Sequence, residues 1–304
     1  MVRTFLFCCL MLLLFTTGCT VSPKMASSSV IQKHISFQSK YVAARNVDVW
    51  LPPNYDKDRH KRYAVLLMHD GQMLFDSTTT WNRQEWGVDE MAERLIKSGQ
   101  TQAFIVVGVW NTPQRFVEYL PQQPALLFPD TLLQQLRNAV KSDFQADNYL
   151  RFLTEELLPF IEKTYRVKSG KEHTFIAGSS MGGLISLYAI CNYPEVFGGA
   201  ACLSTHWPVG YNNDHPVLPN TLIDYFGGHL PDPQTHKIYF DYGTATLDSL
   251  YKPHQMRMDT QMRKGGYKYD KNWISKEFPG ADHSERAWAA RLEIPLLFLL
   301  GKEN

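Results

Sequence analysis

The sequence predicts an α/β fold with a mostly parallel central sheet covered by helices on both faces. Three observations predict it. Residues 63–68 and 104–109 are continuously apolar runs of strand length, as strands buried on both faces are. Strand-like and helix-like segments alternate along the chain, which is the pattern of parallel strands joined by crossover helices. With no internal repeat or low-complexity tract, 304 residues suffice for one large domain burying roughly three quarters of its unfolded surface.

In chain order, Val47, Val49 and Leu51 alternate with Asn46, Asp48 and Trp50, which reads as a half-buried strand closed by Pro52-Pro53. Between the two apolar runs, residues 83–97 place Trp86, Met91, Leu95 and Ile96 near helical spacing, completing a β-α-β unit. Residues 113–145 mix prolines, glutamines and aromatics over a length that suits an insertion at the sheet edge. Asp147 reads as the N-cap of a helix turning Tyr149, Phe152, Leu153, Leu157, Phe160 and Ile161 inward, with a kink at Pro159. Strands are expected at 174–177, 200–204, 237–242 and 269–278, and helices at 182–193, 253–263 and 284–300. Residues 205–236, rich in Pro, Gly, Asn and His, read as a loop or small cap above the sheet.

The N-terminus carries a different message. Arg3 precedes eleven apolar residues, Phe5 to Phe15, too few to span a bilayer of about 30 Å but suited to a secretory signal. Thr16-Thr17-Gly18-Cys19 resembles a bacterial lipobox, although Thr16 stands where leucine is usual, so residues 1–18 are expected to be removed and Cys19 lipidated. Residues 19–30, with Ser27-Ser28-Ser29, would then tether the domain at 31–304, and the protein would be an exported lipoprotein of the cell envelope. The whole chain has 31 Lys+Arg against 30 Asp+Glu; removing Arg3 leaves 31 − 1 = 30 against 30. Such a balance argues against nucleic acid as a partner and against adhesion to anionic lipid through a basic surface. Of five cysteines only Cys191 and Cys202 remain in the domain, both in apolar settings that suit buried thiols.

The chemistry-bearing stretch is Gly178-Ser179-Ser180-Met181-Gly182. The G-x-S-x-G spacing arises by chance in roughly one chain in ten of this length, but here an apolar strand precedes it and an apolar helix follows, the setting of a nucleophile elbow. Such a turn lifts Ser180 above the strand end and leaves the N–H of Met181 at a helix N-terminus, where it can hold an oxyanion. A serine hydroxyl needs a general base oriented by a carboxylate. In the α/β-hydrolase order of Ser, acid, His, the base falls on His283, in the loop after the last strand, with His254 as runner-up. The acid falls on Asp248, in the loop after strand 237–242, with Asp241 as the alternative. The second oxyanion donor is expected after the first buried strand, in His69-Asp70-Gly71-Gln72, at the N–H of Gln72 or of Met73. There Gly71 would admit a substrate, and His69 would brace the loop. His206, His215, His229 and His236 match no metal-ligand spacing, and no cofactor motif is present.

Together these residues resemble the Putative esterase family of the α/β-hydrolases, which includes esterase D, enterochelin-type esterases, feruloyl and acetyl-xylan esterases and mycolyltransferases. The resemblance runs through His69-Asp70-Gly71-Gln72, Gly108-Val109-Trp110-Asn111 with Glu118-Tyr119, the elbow, Tyr193-Pro194-Glu195-Val196-Phe197, Asp241-Tyr242-Gly243-Thr244 and Pro279-Gly280-Ala281-Asp282-His283. It implies Ser180 as nucleophile, His283 as base and Gln72 as oxyanion donor. It also implies that His206 and Trp207 line the substrate pocket, with Trp110 and Arg115 as further candidates. The expected activity is hydrolysis of carboxylic esters, such as acetyl or feruloyl esters on polysaccharide or siderophore-type esters. Transfer of the acyl group to a sugar or lipid alcohol is the alternative.

Overall fold

The computed structural model describes residues 29–210 and 215–302. The expected signal segment, Cys19 and all but the last two residues of the expected tether lie outside the described residues.

Among the described residues, eight strands form one sheet: β1 (Val30–Phe37), β2 (Arg45–Leu51), β3 (Ala64–His69), β4 (Phe104–Val109), β5 (Thr174–Ser179), β6 (Gly199–Leu203), β7 (Lys237–Gly243) and β8 (Trp273–Phe278). Their spatial order is β1-β2-β4-β3-β5-β6-β7-β8. The pairs β1/β2 and β2/β4 are antiparallel; every pair from β4 to β8 is parallel. The helices are α1 (Val88–Lys97), α2 (Arg115–Tyr119), α3 (Gln122–Ala125), α4 (Asp130–Val140), α5 (Ala146–Arg151), α6 (Leu158–Thr164), α7 (Met181–Asn192), α8 (Val217–His229), α9 (Lys252–Lys264), α10 (Glu285–Ala289) and α11 (Glu293–Leu300).

Side chains alternate across this sheet into two cores. On β3, Val65 and Leu67 join one cluster while Ala64, Leu66 and Met68 join the other, the physical reason for the unbroken apolar run. The larger core lies under α5, α7 and α8, and the smaller under α1 and α11. The strand read as half-buried is covered on both faces. Val47, Val49 and Leu51 enter the larger core, Trp50 packs in the smaller one with its ring 6.2 Å from Phe104, and Asp48 takes the indole N–H of Trp110.

Other expectations are modified. Strand β1 begins at Val30, one residue inside the stretch read as tether, and pairs with β2. The insertion at 113–145 is folded into α2, α3 and α4. Residues 205–236 contain the thirteen-residue α8. Gln145 rather than Asp147 stands at the N-cap position of α5, with no side-chain capping bond, while the Asp147 carboxylate accepts from Tyr188 Oη at 2.5 Å and Gln123 Nε2 at 2.8 Å. The kink expected at Pro159 is absorbed one turn earlier by a π-helical segment, Phe152–Leu157, which spares the ring a clash with the preceding turn. The closing helix is divided into α10 and α11.

Candidate active site

Loops leaving the carboxyl ends of the parallel strands converge on one cavity of about 820 Å³. Ser180 follows the central strand β5 with φ 58° and ψ −122°, a conformation costly for a residue with a side chain. The turn is tight because its two sides touch. A Cβ on Gly178 would lie 2.8 Å from the backbone of Gly182, so only glycine fits. The Ser180 N–H donates to Leu203 O at 2.9 Å and its carbonyl accepts from Gly183 N at 3.0 Å and His206 N at 3.2 Å, which fixes the strained residue. Met181 is the first residue of α7, so its N–H has no acceptor within the helix. Gln72 lies in the short 3₁₀ turn after β3, one residue before the turn's first hydrogen bond, Met73 N to Asp70 O at 2.8 Å. Ser180, Met181, Gln72 and Met73 all line the cavity.

His283 lies in the same lining, and its Nδ1 is 2.5 Å from Asp248 Oδ1. A carboxylate only accepts, so Nδ1 carries the proton and Nε2 of the neutral ring is left as an acceptor. Two loops that are distant in sequence hold this pair. Ala281 O accepts from Thr244 N and Ala245 N at 3.1 and 3.0 Å, Gly280 N donates to Thr244 Oγ1 at 2.7 Å, and His283 N donates to Thr246 Oγ1 at 2.9 Å. The His283 ring is wedged edge-on between Trp288 and Tyr251, with centroids at 5.0 and 5.8 Å.

Behind the pair sits a buried polar network. The second oxygen of Asp248 accepts from Gly243 N at 2.6 Å and Ser204 Oγ at 2.5 Å. Ser204 Oγ in turn accepts from Trp288 Nε1 at 2.9 Å and Arg291 Nη2 at 2.8 Å. Arg291 Nη2 also reaches Asp241 Oδ1 at 2.9 Å. The two candidate acids are thereby separated: Asp248 meets His283, whereas Asp241 is buried on Arg291, Ser204 N and Tyr239 Oη. Burial pushes the Asp241 carboxyl up, against the Arg291 charge and its hydrogen bonds. Sequence reasoning missed Ser204, Trp288 and Arg291 as parts of this network.

The remaining expected site residues divide. His206 lines the cavity, its Nδ1 2.8 Å from Tyr251 Oη, and burial, with the nearby His283, lowers it to about 3. Arg115 also lines it, but its guanidinium grips Asp70 through Nε at 2.7 Å and Nη2 at 2.8 Å. Burial alone would raise the Asp70 carboxyl; the Arg115 charge and hydrogen bonds, with Asn111, outweigh it and hold the carboxyl down. Arg115 therefore braces the Gln72 turn rather than presenting a free clamp. Trp207 is a core residue packed on Phe226 and Phe240, its indole N–H on Gln255 Oε1, and Trp110 donates to Asp48; neither is among the described residues lining the cavity. Gly71 serves the scaffold. Its Cβ would fall 2.5 Å from the carbonyl carbon of Gly108, so the close approach is to β4 and not to a substrate. His69 is buried, lowered to about 3 by burial and held by Tyr149 Oη at 2.9 Å, as a brace. His254 lies in α9, buried and lowered by burial. Cys191 and Cys202 are buried free thiols. No cluster of His, Cys, Asp or Glu suited to a metal ion is found among the described residues.

The strand order, the crossover helices and a strained serine between a central strand and its helix define a hydrolase of the α/β type. The family described as Putative esterase matches residues 41–299, and the chain belongs to it, a family of esterases. The uncharacterized protein YbbA of Bacillus subtilis (strain 168) is 23% identical over 269 residues, covering 86% of this chain and 94% of that protein. A ferulic acid esterase structure superposes with a TM-score of 0.64 at 19% identity, covering 90% of this chain and 98% of its own. Enterochelin esterase from Shigella flexneri gives a TM-score of 0.64 at 15% identity, covering 88% of this chain and 57% of its own.

Proposed function

We propose that the protein hydrolyses carboxylic esters through an acyl-enzyme on Ser180, with His283 as general base and Asp248 as its orienting acid. The observation that carries this reading is the 2.5 Å Asp248–His283 pair in the wall of the cavity that also holds the strained Ser180. Ser180 Oγ attacks the ester carbonyl carbon while His283 Nε2 takes its proton. The oxyanion is met by the N–H groups of Met181 and Gln72. As the tetrahedral adduct collapses, the C–O bond to the alcohol breaks and His283 returns the proton to the departing oxygen. Water, deprotonated by the same nitrogen, then attacks the acyl-enzyme; the bond to Ser180 Oγ breaks, His283 returns the proton to that oxygen, and the acid leaves. Asp248 holds the imidazole in the required tautomer and offsets the charge it gains.

Acetyl or feruloyl esters of saccharides and siderophore-type esters are the substrate classes named by the resemblance; the ferulic acid and enterochelin esterases share the fold. We further propose export, with lipid on Cys19 holding the enzyme at the cell envelope, supported by the apolar leader and the Thr16-Thr17-Gly18-Cys19 segment. The test is direct. Ser180→Ala should lower turnover of p-nitrophenyl acetate by roughly 10³-fold or more while leaving the melting curve nearly unchanged. Retained turnover would end this reading.

A further inference from the structure

The mouth of the cavity carries a feature that ester cleavage does not use. Trp81 lines it yet is 83% exposed, although its indole is among the largest apolar groups available to a core. It stands on a loop that is held in place from both sides. Within the loop, Asp76 Oδ1 accepts from Thr78 N at 2.9 Å and Thr80 Oγ1 donates to Ser77 O at 3.0 Å. Across to α10, Asn82 Nδ2 donates to Glu285 Oε2 at 2.8 Å and Gln84 Oε1 accepts from Arg286 N at 3.2 Å. The indole is thus presented on a frame already tied to the segment bearing His283, so little order is lost when a ligand lies on it.

Its neighbours in the lining are Asn82, Gln84 and Glu285, amide and carboxylate groups that read hydroxyls. The lining also includes the buried apolar side chains of Met73, Trp86 and Val209, better suited to an acyl group. The charges narrow the choice of ligand. Among the described lining residues the fixed charges are one cation, Arg115, and two carboxylates, Asp70 and Glu285, a balance of 1 − 2 = −1. Arg115 is already committed to Asp70. A catecholate siderophore, multiply anionic, would find no unpaired arginine or lysine among these lining residues. A neutral sugar ring needs none.

We propose that this mouth is a subsite for a neutral sugar ring in the alcohol portion of the ester, with Trp81 as its stacking platform; the assignment rests on the esterase reading and selects saccharide esters within it. The test compares wild type with Trp81→Ala and Trp81→Phe on p-nitrophenyl acetate, methyl ferulate, acetylated xylobiose and a catecholate lactone. Trp81→Ala should raise KM for acetylated xylobiose roughly tenfold with kcat little changed, Trp81→Phe should restore most of the loss, and the two sugar-free simple esters should change less than about twofold. A loss confined to methyl ferulate or to the catecholate lactone overturns the sugar assignment, and an equal loss on every ester shows Trp81 to be structural and overturns it as well. A second arm titrates the Ser180→Ala protein with acetylated xylobiose by calorimetry. Binding that Trp81→Ala abolishes supports the subsite even if the wild type hydrolyses none of the esters, an outcome that would remove the esterase reading alone; no binding, together with an unchanged KM, removes the subsite.

Discussion

Replacing Arg291 by methionine isolates the network behind the Asp248–His283 pair. Met fills most of the volume but removes the hydrogen bonds to Ser204 Oγ at 2.8 Å and Asp241 Oδ1 at 2.9 Å, and a charge 3.9 Å from Asp248 Oδ2. Asp241 is wholly buried, so its carboxylate would be left without its cation in a site closed to water. Breaking one side of such a pair costs about 3–5 kcal/mol, a large part of the stability of a typical domain. Removing both sides should cost far less than the sum, because no uncompensated charge remains. Urea unfolding at pH 8 of wild type, Arg291→Met, Asp241→Asn and the double variant should therefore show a coupling of about 2 kcal/mol or more. The pH dependence has a definite sign. The Asp241 carboxyl is already raised by burial, and losing Arg291 raises it further, so its protonated form is favoured in the folded state. That contribution is present at low pH and lost as pH rises through the folded value, so the deficit of Arg291→Met should widen with pH. Single-variant losses that simply add to within about 0.5 kcal/mol, or a deficit that does not vary with pH, would refute the reasoning.

Two further outcomes follow from the same geometry. His69 and His206, both lowered to about 3, stay neutral in the fold, so their contribution is whole above about pH 6.5 and declines as pH falls toward 3. At about 1.4 kcal/mol per pH unit for each, going from pH 6.5 to 4.5 should cost about 5 kcal/mol, and the double His→Gln variant should lose most of that slope; a wild-type stability flat over this interval would contradict it. Gly243→Ala would place a Cβ 2.1 Å from Ala281 O, the carbonyl that stitches the His283 loop to the Asp248 loop, so kcat/KM should fall at least about tenfold with the fold retained. Gly228→Ala, where a Cβ meets nothing within 4 Å, should leave kcat/KM unchanged.

What could be read from the sequence was whatever a local pattern encodes. The buried strands announced themselves because both faces of the sheet are covered, and the elbow because a glycine-bounded serine joined two apolar segments. Helix α8 was legible in principle: Leu218, Leu222, Ile223 and Phe226 point inward at helical spacing, and Pro219 sits in the first turn, where proline is tolerated. Its one proline, two glycines and one histidine hid that signal. Helix α4 likewise carries Leu132, Leu133, Leu136 and Val140 on one side within a stretch that reads as irregular. The site's wiring was a different matter. The contacts of Arg291 with Ser204 and Asp241 join positions 87 and 50 residues apart, and nothing local marks an arginine in a segment that reads as one apolar closing helix, but is the turn between α10 and α11, as a partner of strand-end residues. The same holds for Arg115, which reads as a free pocket residue until Asp70, 45 residues earlier, is seen beneath it. Trp207 and Trp110 show the converse. An aromatic close to a motif reads as a pocket wall, while packing and a single indole hydrogen bond place each elsewhere.

In the proposed mechanism Ser180 is the nucleophile and is activated by His283. A fluorophosphonate reacts preferentially with a serine so activated, losing fluoride and forming a covalent phosphonyl ester that peptide mass spectrometry locates. One adduct per chain is expected, on Ser180, formed rapidly in the wild type and at least about 10²-fold more slowly in His283→Ala. An adduct on another residue, or labelling of Ser180 at an undiminished rate without His283, would contradict that mechanism.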